Sequence, residues 1–92
     1  MDESVIWLIR GSQRKILFLN ISEDPFLSNK LRKGLNEKCN LNLSLREVSR
    51  HLKDFEKREL VKCRNPRDPY NHIYEITSKG KKIQKEIIRI HL

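Results

Sequence analysis

Arg46, Ser49, Arg50 and Lys53 recur at spacings of three and four residues, which puts their side chains on one side of an α-helix. Two guanidinium forks, an ammonium and a hydroxyl along one face form a row of hydrogen-bond donors suited to anionic oxygens and to the O6/N7 edge of guanine. Leu45, Val48, Leu52 and Phe55 fall at i, i+3, i+7 and i+10 in the same segment, so the other side can be buried. A helix packed on one side and lined with long donors on the other matches a DNA major groove in width and chemistry. Surface helices also carry solvated charges with no partner, so the neighbouring elements have to decide between the two readings.

Few other residues offer chemistry. Cys39 and Cys63 make no paired spacing of the kind zinc needs, and they read as free thiols. His51, His72 and His91 are scattered, with His51 beside the apolar stripe and read as a boundary packing residue. No Ser/His/Asp set or carboxylate pair stands out, and with only Gly11, Gly34 and Gly80 a glycine-rich phosphate cradle is not expected. The reading is therefore no catalytic residue, no metal, no cofactor and no enzyme.

The elements that would position the donor row can be taken in order. Residues 3–10 read as a short helix stopped at Gly11. Its Trp7, the one tryptophan, is a core or interface anchor. Ser12 is expected to cap a second helix through about Ile21, with Ile16, Leu17 and Leu19 inward and Arg14 and Lys15 in water. Ser22 or Asp24 would cap a third helix over Phe26–Glu37, with Pro25 in its first turn and Leu27, Leu31 and Leu35 as its stripe. Gly34 weakens that helix by about 1 kcal/mol relative to alanine. After a turn at Lys38–Asn42 comes the donor-bearing helix, 44–58, with Ser44 and Glu47 as a capping box. Leu60–Arg64 and His72–Ile76 read as two strands, separated by a turn-rich NPRDPYN segment that carries Arg67. Thr77 caps a last helix, 77–91. Ile83, Ile87 and Ile90 form one stripe on it and Ile88 and Leu92 another, more apolar surface than one core needs.

Ninety-two residues are expected to make one domain, 1–92. Lys plus Arg number 20 against 12 Asp plus Glu, a net charge of +8 with a pI near 9.8, which points to an anionic partner, nucleic acid being the usual one. No apolar run reaches the ~18 residues a membrane span requires. Met1 is followed by two acids and the apolar run Val5–Ile9 is too short for a signal peptide, so a cytoplasmic protein is expected. The fold expectation is α+β, mostly α. It is a winged helix-turn-helix, with a three-helix core, a two-stranded β-hairpin wing over about 60–76, and a C-terminal helix.

The run EVSRHLKDFEKRELVKCRNP, followed by IYEITSKGKKI, resembles small prokaryotic winged-helix transcriptional regulators of the MarR/ArsR type, above all a group common in archaea. Val48-Ser49-Arg50, Leu52, Glu56, Leu60-Val61, Cys63, Asn65-Pro66, Ile73-Tyr74, Thr77 and Gly80-Lys81 match that pattern. The likeness runs from about Val5 to Ile88 and is specific from Val48 to Lys81. Three positions depart from it. Glu59 replaces a glycine before Leu60-Val61, so that turn would not rely on a left-handed glycine. Asn71-His72 replaces a Gly-Arg pair, Asn71 being tolerant of positive φ. The turn before the donor helix is longer.

The resemblance implies dimeric, sequence-specific binding of double-stranded DNA and transcriptional control, repressor-like in kind. The helix at 44–58 would lie in the major groove, with Arg46, Ser49 and Arg50 reading bases. Arg14, Lys30, Lys53, Lys62 and the helix N-terminus at Ser44 would hold phosphates. The wing, 64–72, would bring Arg64, Arg67 and His72 to the minor groove or backbone. The terminal helices 3–10 and 77–91 would pair two copies. The rival function is a winged-helix module that binds protein in a transcription-related assembly. No effector is identifiable from sequence.

Overall fold

The computed structural model describes residues 2–91. Along the chain run α1 (Glu3–Arg10), α2 (Ser12–Leu19), β1 (Phe26–Leu27), α3 (Ser28–Lys38), α4 (Leu45–Lys57), β2 (Val61–Cys63), β3 (Ile73–Ile76) and α5 (Ser78–His91). The protein is α+β and mostly helical, with a three-stranded antiparallel sheet in the order β1-β3-β2.

The third strand corrects the sequence reading. Phe26 and Leu27 are not the first turn of a helix but pair with Tyr74 and Ile73 of β3. The Phe26 ring stacks on Tyr74 with centroids 6.2 Å apart. The hairpin alone would leave one edge of β3 unpaired; β1 covers it, and a cross-strand aromatic pair with two ladder positions outweighs a local serine or aspartate cap. α3 therefore starts at Ser28, with Leu27 at its N-cap position and no capping side chain. Gly34 lies inside it, and the helix runs on to Lys38, one residue past the expected end.

α2 also differs. Gly11, not Ser12, occupies the N-cap position, and the helix stops at Leu19 rather than Ile21. Asn20 Nδ2 donates to the Ile16 carbonyl at 2.8 Å, and Gln84 of α5 donates to the carbonyls of Phe18 and Ile21, each at 2.9 Å. Side chains thus take the carbonyls the helix end leaves free.

Between α3 and α4 the amide of Asn36 does the work of a strand partner, donating to Leu43 O at 3.0 Å and accepting from Leu43 N at 2.8 Å. Asn40 takes the left-handed conformation there, φ 52°. α4 ends in a complete Schellman motif: Leu60 N donates to Phe55 O and Glu59 N to Glu56 O, both at 2.9 Å. The residue that must be left-handed is Glu59, φ 63°. The turn keeps the conformation a glycine would favour and carries it on a glutamate instead. Asn71, by contrast, has no positive φ; Asn40 and Glu59 are the non-glycine residues that do among those described.

The hairpin β2–β3 is locked to the start of α5. Thr77 N donates to Leu60 O at 3.0 Å, Thr77 Oγ1 donates to Glu59 O at 2.6 Å, and Gly80 N donates to Thr77 Oγ1 at 2.9 Å. Gly80 lies so close beneath that a Cβ would strike the Leu60 carbonyl oxygen and sit 2.7 Å from Ile76 Cγ1. The glycine is there for close approach, not for turn geometry.

The core joins every helix to the sheet. Leu8, Phe18, Val48, Leu52, Phe55, Leu60 and Ile87 are wholly buried. Phe18 and Phe55 meet edge to face at 5.3 Å. Phe18 was not among the expected core residues, because the stripe read through Ile16 and Leu19, which are only partly buried. Leu45 was expected inside and is 45% exposed. It lies in the first turn of α4, one turn short of the core that holds Val48.

Candidate nucleic-acid interface

α4 is fixed from both ends and from beneath. Ser44 Oγ accepts from Glu47 N at 3.1 Å, and Glu47 Oε1 accepts from Ser44 N at 3.1 Å, completing the capping box. The Ser44 amide and the Ser44 hydroxyl, which donates to the same oxygen at 3.0 Å, hold the Glu47 carboxyl below its ordinary value. Glu47 is in turn tied to α2: Gln13 Nε2 donates to its Oε2 at 3.4 Å, while Gln13 Oε1 faces His51 Nε2 at 2.8 Å. His51 is half-buried and lies over Phe55, with ring centroids 6.3 Å apart. Burial, before any neighbouring charge, pushes its pKa down. Its Nδ1 is buried with no partner, which also favours the neutral ring.

On the opposite side Arg46, Ser49, Arg50 and Lys53 line one shallow groove of about 320 Å³. Arg46, Arg50 and Lys53 are exposed, and none forms a salt bridge among the described residues. Ser49 also faces a second cleft of about 290 Å³, where α4 meets the first turn of α3 and the hairpin loop. His72 and Tyr70 reach this cleft from the loop, Ser28 and Asn29 from α3.

The 64–72 loop is built by two side chains. Asn65 Oδ1 accepts from Ile73 N and Asn65 Nδ2 donates to Asn71 O, both at 2.7 Å. Asp68 Oδ1 accepts from the amides of Tyr70 and Asn71, both at 2.9 Å, and these bonds lower its pKa. The loop thus presents Arg67, which is exposed, and Tyr70, which is 89% exposed. Tyr70 was not singled out from sequence. The Asx signals of Asn65 and Asp68 mark a built turn, but not which neighbour it turns outward.

Six of the expected cations fall into three environments, while Lys30 on α3 and Arg67 on the loop are exposed elsewhere. Arg46, Arg50 and Lys53 share the α4 groove. Lys62 and Arg64 lie on or beside β2 and both approach Glu75 of β3 at 3.9 Å, so one carboxylate serves two cations. Arg14, expected in water against phosphate, is folded inward instead. Its Nε and Nη2 donate to the Trp7 carbonyl, and its guanidinium lies 4.4 Å from the Trp7 ring centroid, with Arg58 at 4.1 Å. Trp7 also meets Phe55 edge-on at 5.9 Å. A guanidinium held by a carbonyl and an indole has donors committed.

Among the described residues no group of three or more His, Cys, Asp or Glu could hold a metal, and no helix is long and apolar enough to cross a membrane. Cys39 is exposed and Cys63 half-buried, neither in a disulfide.

No family model and no curated protein matches the chain. Among solved structures it is similar to the reduced form of the transcriptional regulator YodB from B. subtilis. The TM-score is 0.70 over 96% of this chain and 82% of that one, at 21% sequence identity. At that identity the likeness establishes a shared fold, that of a small, mostly helical α+β chain.

Proposed function

We propose that the protein is a winged-helix transcriptional regulator of the MarR/ArsR-like kind that binds specific duplex DNA as a homodimer. The observation that carries this reading is the state of α4. Val48, Leu52 and Phe55 anchor one side in the core, while Arg46, Arg50 and Lys53 stand exposed and unpaired among the described residues on the other. α4 would enter the major groove, with Arg46, Ser49 and Arg50 at base edges. Lys53, Lys30 and the first-turn amides of α4 would meet phosphates. The 64–72 loop would act as the wing, with Arg67 and Tyr70 outermost and His72 nearer α4. Exposed Ile6 on α1 and exposed Ile88 and Ile90 on α5 supply apolar surface for a two-fold partner, since α1 and α5 pack together. Two copies would span half-sites about one helical turn apart.

A protein-binding winged helix is the second reading, favoured by the apolar exposure of Leu27 and Leu45 beside Tyr70 at the cleft. Anisotropy titration of duplexes selected from a random pool, at several salt concentrations, separates the two. The DNA reading expects log–log salt dependence with a slope of several released counterions, and 2:1 protein-to-duplex stoichiometry. Weak, salt-insensitive binding with no preferred sequence would refute it.

A further inference from the structure

Leu45 is the first residue of α4 after its Ser44 cap, and it is 45% exposed. The hydrophobic anchorage of the helix start is supplied by others. The positions a hydrophobic staple uses, the residue before the cap and the fourth of the helix, are Leu43 and Val48, and both are buried in the core. An exposed leucine by itself calls for no explanation, but Leu45 is not isolated. It lines one cleft with the exposed side chains of Leu27 and Tyr70. No carboxylate, lysine or arginine lines that cleft. Ser49, one turn on from Leu45 on the same face of α4, lines both this cleft and the groove of Arg46, Arg50 and Lys53. The apolar patch therefore adjoins the unpaired cations of α4.

What an apolar side chain can read beside such donors is narrow. Leucine neither donates nor accepts a hydrogen bond, so it cannot tell base edges apart by polar contacts. In the major groove one apolar feature varies with sequence, the C5-methyl group of thymine. A protein partner for this patch would have to supply acids to Arg46, Arg50 and Lys53 next door, whereas duplex DNA brings phosphates and a methyl group together. We propose that Leu45 is a specificity-determining residue that packs on the C5-methyl of a thymine in each half-site. This role rests on the DNA reading and deepens it. To the hydrogen-bonding positions Arg46, Ser49 and Arg50 it adds one that recognises a base by burial alone. Side chains four apart on a helix stand about 5–6 Å from each other, which sets the thymine within about two base pairs of the base Ser49 faces.

The test uses the full chain and a duplex selected from a random pool, titrated by anisotropy at one salt concentration. Each thymine of one half-site is replaced in turn by deoxyuridine, which keeps the base pairing and lacks only the methyl group. At one position the replacement is expected to weaken binding about three- to fivefold, the range for losing the burial of one methyl. Leu45→Ala should bind the thymine and deoxyuridine duplexes alike at that position. Leu45→Met, which restores an apolar contact, should again distinguish them. Each variant is compared with itself on two duplexes, so its own stability drops out of the ratio. A deoxyuridine loss equally large in Leu45→Ala would overturn the proposal, because the methyl would then act through duplex shape. So would the absence of any such loss. In both cases preferred, salt-dependent binding of the selected duplex would leave the DNA reading standing. Binding with no preferred sequence would remove both and leave the patch to a protein partner.

Discussion

The α4 groove and the β2–β3 hairpin hold the same kinds of residue in opposite electrostatic states. On α4, spacings of three and four place Arg46, Arg50 and Lys53 side by side, with no acid across from them in a salt bridge among the described residues. On the hairpin, the antiparallel register sets Glu75 directly opposite Lys62, and Arg64 reaches the same carboxylate. On the solvent-facing side of a helix the nearest side chains are those of the same helix at i±3 and i±4, whereas a paired strand sets a cross-strand residue opposite each position. The α4 cations therefore remain available to an outside anion, while those on the hairpin begin partly neutralised. This difference in pairing, more than the count of basic residues, is what supports the proposed placement of α4 against DNA.

The largest break in the comparison comes from detaching the hairpin. Gly80→Ala drives a methyl into the Leu60 carbonyl and Ile76, and is expected to destabilise by about 3 kcal/mol, the upper end for overpacking. Thermal denaturation reads it, as a fall of more than about 10 °C. Next, Arg50→Ala should cost about 1–3 kcal/mol against a selected duplex and much less against random DNA, measured by anisotropy. Ser44→Ala removes the cap that aligns α4 and should lower stability by about 1 kcal/mol in denaturant titration, leaving the hairpin intact.

Two smaller effects sharpen the contrast. Glu75→Gln makes the hairpin resemble α4: stability should move by less than about 0.5 kcal/mol, while the salt slope of DNA binding steepens by about 1 as Lys62 and Arg64 are released. His51 has a folded-state pKa below its ordinary 6.5, so the unfolded chain takes up its proton first as the solution is acidified. Its contribution is fully present above pH 6.5 and is lost as pH falls from there toward the lowered value. Urea titrations at pH 7.5 and 5.5 should show this loss, and His51→Gln should reduce it.

Much of the α4 region can be read locally. Its capping box, its buried positions from Val48 to Phe55 and its exposed donors all follow from spacing within one helix. The misreadings lie where a distant residue intervenes. Leu45 obeys the helical period and still lies outside, because the period does not say how far along α4 the core extends. Arg14 has the composition of a phosphate contact but is claimed by Trp7 and its carbonyl. Phe26 and Leu27 satisfy helix-start rules yet join a strand more than forty positions later in the chain.

Sequence by itself determined the helices, the hairpin and the donor row of α4, because caps, turn residues and periodicity act between near neighbours. Tertiary structure alone decided the third strand, the left-handed Glu59, the closeness of Gly80 to Leu60 and the division between free and paired cations. Each of these depends on which surfaces meet across the core. The number of ways a basic side chain can be satisfied is fixed only once its non-local neighbours are in place.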